Sequence, residues 1–191
     1  MQAGEVGKQH MELGTMIGLG LGLSMDAVAV TITNTLVYHP LDRRKQIAMP
    51  LFFGLFQGLM PLLGSLVGDV FSDLVEDYAG WVTCAILGVI GLKMLIDGLK
   101  HETVCKENAL TYRMLFMQAI ATSIDAMAVG VSIALMDDDV VVLAAGVIAL
   151  TTFCCSLLAL FLGKLCGRRL GNHARVLGGV ILLVLAVKAV L

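Results

Sequence analysis

The chain has 191 residues, 58% of them hydrophobic and 15% charged, with a formal net charge of −2 and a mean hydropathy of +0.91. Soluble domains run at about 45–50% apolar and about 25% charged residues, so an ordinary soluble core of this size is excluded. No basic cluster offers itself to nucleic acid, and the cysteines Cys84, Cys105, Cys154, Cys155 and Cys166 contain no CxxC, so no disulfide framework is expected.

Residues 1–12 carry Glu5, Lys8 and Glu12 and lack a signal-peptide cleavage pattern, so the first apolar run is expected to remain as a helix. That run spans 13–37 and holds Gly14, Gly18, Gly22, Asp26 and Asn34. The second, 47–68, holds Gln57, Pro61, Gly64 and Gly68. The third, 79–99, holds Lys93, and the fourth, 114–136, holds Gln118, Thr122, Ser123 and Asp125. The fifth is 140–163, and the sixth, 175–191, holds Lys188. A span takes about 20 apolar residues. Runs of this length without alternation read as helices, because lipid offers the backbone no other hydrogen-bond partner.

The connecting charges sort by side. Arg43, Arg44, Lys45, Lys100, Lys106, Arg113, Lys164, Arg168, Arg169 and Arg175 fall on one side if there are six spans. The other side collects Asp69, Asp73, Glu76, Asp77, Asp137, Asp138 and Asp139. Positive residues stay inside, so both termini are predicted outside the cytoplasm. The aspartate run 137–139 reads as a solvated loop.

An internal repeat underlies this order. Ser24-Met25-Asp26-Ala27-Val28-Ala29-Val30 and Ser123-Ile124-Asp125-Ala126-Met127-Ala128-Val129 match at five of seven positions, offset by 99. The same offset aligns Gly64 with Gly163, and an offset of 95 aligns Lys93 with Lys188. Three spans per repeat force opposite orientations. The predicted fold is all-α integral membrane, with six transmembrane helices as two inverted three-helix repeats. The chain is one transmembrane domain, 1–191, with repeats at about 11–99 and 111–191. Inverted repeats recur in secondary transporters, whose sites lie near the midplane at the repeat interface.

Asp26 and Asp125 each fall near the middle of a span. A carboxylate there costs about 2.5–3.5 kcal/mol on insertion scales, so it normally faces a partner or a polar cavity. Small and polar residues share its helix face in both repeats: Gly18, Gly22, Ala29 and Thr33 with Asp26, and Gln118, Ala121, Thr122, Ala128 and Ser132 with Asp125. Brought together, the two acids attract a cation. The plainer alternative pairs each with a lysine, Lys93 or Lys188, although both lysines are near enough to span ends to snorkel. Asp26, Asp125, Thr122, Ser123 and Asn34 offer oxygen, as hard divalent cations require. Histidine is absent from the spans, which disfavours zinc or copper. Gln57 either faces the cavity or bonds a neighbouring helix. Gly14, Gly18 and Gly22 read as a close helix-packing stripe, and Met25 and Met127 as packing residues.

These motifs resemble the bacterial manganese efflux pumps called MntP, within the lysine-exporter superfamily. The similarity covers nearly the whole chain. It rests on Ser24-Met25-Asp26-Ala27, on Phe53-Gly54 through Pro61, on Gly91-Leu92-Lys93-Met94, on Ala119 through Gly130, and on Leu177-Gly178-Gly179. The resemblance implies Mn²⁺ export across the bacterial plasma membrane, with Asp26 and Asp125 as central acids and Mn²⁺ as transported substrate rather than cofactor. Some relatives carry an acid where this chain has Gln57 or Arg175. The candidate metal-contacting set is therefore Asp26, Asp125, Thr122, Ser123, Asn34 and Gln57. No enzyme activity, nucleotide motif or resident cofactor is expected, and proton exchange at the aspartates is the expected energy source. Export of another divalent cation or a cationic solute is the alternative. An intramembrane aspartyl protease is disfavoured, since neither aspartate follows Gly-x-Gly. Membrane lipid is the expected surrounding; oligomeric state is open.

Overall fold

Each apolar run forms an α-helix. A computed structural model describes residues 12–38, 41–67, 72–99, 110–133, 138–170 and 173–188. The helices are α1 (Leu13–Val37), α2 (Arg43–Val67), α3 (Ser72–Leu99), α4 (Tyr112–Ile133), α5 (Asp138–Leu170) and α6 (His173–Lys188). The first has the bounds its apolar run predicts. The others begin before theirs, and α5 also ends later, so Arg43, Arg44 and Lys45 open α2, and Lys164, Arg168 and Arg169 lie on α5 rather than in a loop. Arginine and lysine are good helix formers, and nothing at these ends breaks the backbone ladder. Asp138 and Asp139 likewise sit in the first turn of α5, where the positive end of the helix dipole favours acids. Asp137, Asp69, Lys8, Lys100, Lys106 and Cys105 lie outside the described residues.

Helices α1, α2, α4 and α5 are long and apolar enough to cross a membrane; α3 and α6 contribute shorter apolar stretches, Trp81–Lys93 and Val176–Lys188. The acids Asp73, Glu76 and Asp77 interrupt the first half of α3, and α6 is described over 16 residues only. The polarity of the bundle is inside out. Leu51, Leu55, Leu59, Leu63 and Leu66 form an exposed stripe on α2, and Leu150, Leu158, Phe161, Leu162 and Leu165 are exposed on α5. Ser24, Thr31, Asn34, Gln57, Gln118, Thr122, Ser123, Thr152 and Ser156 are buried. In water so much exposed apolar surface marks an interaction face; around a whole bundle it marks lipid. This is a multi-pass membrane protein.

Glycines set how closely the helices approach. A Cβ on Gly64 would land on the Met127 carbonyl oxygen, and one on Gly130 on the carbonyl of Pro61, so α2 and α4 touch backbone to backbone. Gly91 and Gly179 do the same for α3 and α6. These contacts also fix direction. Gly20 meets Thr151 and Gly163 meets Thr35, so α1 and α5 run parallel. Gly54 faces Phe153 and Gly58 faces Ala145, so α2 and α5 are antiparallel. Gln57 bonds Ser123 while Pro61 meets Gly130, so α2 and α4 are parallel. It follows that α1 and α4 are antiparallel. The stripe Gly14, Gly18, Gly22 behaves otherwise: a Cβ at any of the three would meet nothing within 4 Å. The close packing expected of it is absent among the described residues, because α1 turns its other side, with Gly20 and Thr35, to α5.

Candidate cation site between α1 and α4

Asp26 and Asp125 are held at one level of the bundle. Asn34 on α1 donates from Nδ2 to Gln118 Oε1 on α4 at 2.7 Å, and Gln118 Nε2 donates back to Asn34 Oδ1 at 3.2 Å. From that rung Asp26 lies eight residues back along α1 and Asp125 seven residues forward along α4. At a rise of 1.5 Å per residue these steps are about 12 and about 10.5 Å. The helices are antiparallel, so both steps lead the same way. The Asp125 carboxylate is within electrostatic reach of Asp26.

The two acids have different neighbours. Lys188 Nζ of α6 lies 3.3 Å from Asp26 Oδ1, and the Asp26 side chain is 28% exposed. Asp125 is exposed on the bundle, and its Oδ1 accepts the N–H of Ala126 at 2.9 Å. Lys93, the counterpart of Lys188, is exposed, and it makes no ion pair with Asp125. The lysine pairing that was the plainer alternative thus holds for one aspartate and not for the other. No group of three or more His, Cys, Asp or Glu converges among the described residues.

Two residues before Asp125 and three before Asp26, a second polar rung crosses three helices. Ser123 Oγ donates to Gln57 Oε1 at 2.8 Å, and Gln57 Nε2 donates to the Leu23 carbonyl at 3.1 Å. Gln57 therefore bonds its neighbours; of the two roles left open for it, this one is realised. Pro61 lies four residues on and has no N–H for the Gln57 carbonyl, which leaves a backbone oxygen without its helical partner. Thr122 donates to the Gln118 carbonyl at 2.9 Å, within its own helix. Asn34 also reaches the Met49 sulfur at 3.6 Å. Of the six candidate residues, Asn34 thus falls on the first rung and Gln57 and Ser123 on the second, with Thr122 bonded to its own helix and the carboxylates a few residues from the second rung. Met25 is 63% exposed, so it does not pack in the core.

The bundle also holds features outside the six-residue candidate set. Gln118 is the partner of Asn34; its signal was a place two turns from Asp125 on the same face. The hydroxyls of Thr31, Thr33, Thr152 and Ser156 are buried and unpartnered among the described residues. Thr152 and Ser156 are four residues apart on α5, a spacing that marks one polar helix face. A groove of about 450 Å³ lined by Thr15, Gly18, Leu19, Gly22 and Leu23 runs along α1, floored by the open glycines. Their side-chain-free face is what leaves it open.

A family model described as "Putative manganese efflux pump" (MntP) matches residues 40–190. The chain belongs to the MntP family. Among its relatives, a "Putative manganese efflux pump MntP" from Ruminiclostridium cellulolyticum is 37% identical over 159 residues, 82% of this chain and 84% of the relative. A protein named "Putative manganese efflux pump MntP 1" from Wolinella succinogenes is 40% identical over 150 residues, covering 78% and 82%. The relative from Methanosarcina mazei is 41% identical over 149 residues, covering 78% and 80%. No solved structure matches the chain. The matched length takes in α2 to α6 as MntP elements, including the Asp125 helix and Lys188.

Proposed function

We propose that this chain exports Mn²⁺ across the bacterial inner membrane as a secondary transporter, with Asp26 and Asp125 as the cation-binding acids near the midplane. The observation that carries the reading is the pairing of the two repeated Ser-x-Asp-Ala-x-Ala-Val segments at one level on antiparallel helices. Membership of the MntP family supplies the substrate. The donor set agrees with it: two carboxylates and the Ser123 hydroxyl are hard oxygen groups, which suit manganese, magnesium or calcium.

Two inverted repeats, about 11–99 and 111–191, account for the helix packing. Exchanging α1 with α4, α2 with α5 and α3 with α6 turns each major helix pairing into another. The extensive α1–α5 contact becomes α4–α2, α1–α6 becomes α4–α3, and α2–α5 and α3–α6 map onto themselves. In this reading α3 and α6 complete six spans within one transmembrane domain. The positive-inside pattern puts both termini outside the cytoplasm.

Asp125 is exposed on a membrane-spanning helix, and a bare carboxylate in hydrocarbon is costly. It therefore needs a polar partner or a polar cavity, which the cation supplies in this reading. In this exchange a divalent cation entering the pair displaces a proton, and a proton re-enters when it leaves. This coupling is tested in proteoliposomes loaded with Mn²⁺ under an imposed pH gradient. Efflux that accelerates when the outside is acidified supports exchange; efflux indifferent to the gradient refutes it.

A further inference from the structure

We infer that the Lys188 ammonium is a tethered counter-ion that occupies Asp26 in the cation-free protein and must swing away for a divalent cation to bind. The inference rests on the proposed role of Asp26 in cation binding.

Three observations carry it. The first is the ion pair itself, 3.3 Å from Lys188 Nζ to Asp26 Oδ1, which places a cation where the substrate would sit. The second is the difference in exposure. The Lys188 side chain is 68% exposed while the Asp26 side chain is 28% exposed, so the lysine has room to leave and the acid does not. A four-carbon stem lets an ammonium relocate at small cost. The third is the asymmetry between the repeats. Lys93 stands in its repeat where Lys188 stands in the other, yet no ion pair within 4 Å joins Lys93 to Asp125 as Lys188 joins Asp26. A pair needed to fold each half would appear in both. A pair serving the site need appear only once.

The consequence is competition. Lys188 satisfies one carboxylate when the site is empty, so the empty carrier does not leave two bare acids in the membrane. A divalent cation must displace it, and returning lysine helps expel the cation. Removing the charge while keeping the stem strengthens equilibrium binding and slows release.

The test measures Mn²⁺ binding to the purified full-length protein by calorimetry, in wild type, Lys188→Met, Lys188→Arg, Lys93→Met and Asp26→Asn. Close charges of this kind commonly shift affinity by about tenfold or more. The expected result is about tenfold tighter binding for Lys188→Met, near-wild-type binding for Lys188→Arg and Lys93→Met, and slower Mn²⁺ efflux by Lys188→Met in proteoliposomes. A structural role would not separate methionine from arginine in this direction. Lys188→Met binding no tighter than wild type, while Asp26→Asn binds more weakly, overturns the counter-ion and leaves the transport reading standing. Asp26→Asn binding as well as wild type, or no binding by wild type, overturns both.

Discussion

Asn34 and Gln118 exchange hydrogen bonds in both directions across α1 and α4, at 2.7 and 3.2 Å, with both side chains fully buried. This rung sets the register of the two aspartate-bearing helices. Truncating one partner strands the other's amide where no water replaces it. Asn34→Leu or Gln118→Met alone should cost about 1–2 kcal/mol of stability, given what buried unsatisfied amides and interhelical bonds are worth. The double variant should cost less than the sum of the two, because no amide is left unpaired. Thermal unfolding of the detergent-purified protein reads both effects; strictly additive costs would mean the rung is not a unit.

The α2–α4 contact has no room for a methyl group. Gly64→Ala and Gly130→Ala would each drive a Cβ onto a backbone carbonyl, of Met127 and of Pro61. Backbone yields poorly, so each should cost about 3 kcal/mol, the upper range of overpacking. Gly146→Ala meets nothing within 4 Å and serves as the control. Folded yield by size-exclusion chromatography should fall sharply for the first two and stay unchanged for the third.

Sidedness is tested with a cysteine-free background carrying one cysteine at Arg44 or at Asp139. If basic residues mark the cytoplasmic side, a membrane-impermeant maleimide added to intact cells should label position 139 and spare position 44. The reverse pattern would turn the protein over and put both termini inside.

Much of this arrangement is legible in the chain because lipid simplifies the physics. Long apolar runs become helices wherever backbone groups must pair internally, and all six form. Ser24 to Val30 and Ser123 to Val129 mark the repeat because a charge in each is too costly to persist without use. Helix ends are less legible, since Arg43 and Lys164 extend helices that the apolar runs alone would stop short. The fate of Gly14, Gly18 and Gly22 was hidden as well. A small-residue stripe says that a close neighbour fits, not that one comes, and here the face opens on a groove. The choice of Lys188 over Lys93 as the paired lysine depends on the relative placement of α6 and α3, which no local pattern encodes.

The central role of the two acids is measured most directly in cells lacking their own manganese exporter. They are challenged with Mn²⁺ while expressing this chain, Asp26→Asn or Asp125→Asn at matched membrane levels, and total cell manganese is read by mass spectrometry. The expected result is that the wild-type chain lowers cell manganese and that neither variant does. Three forms exporting equally would contradict the aspartate site, and a wild type that leaves manganese unchanged would contradict manganese export itself.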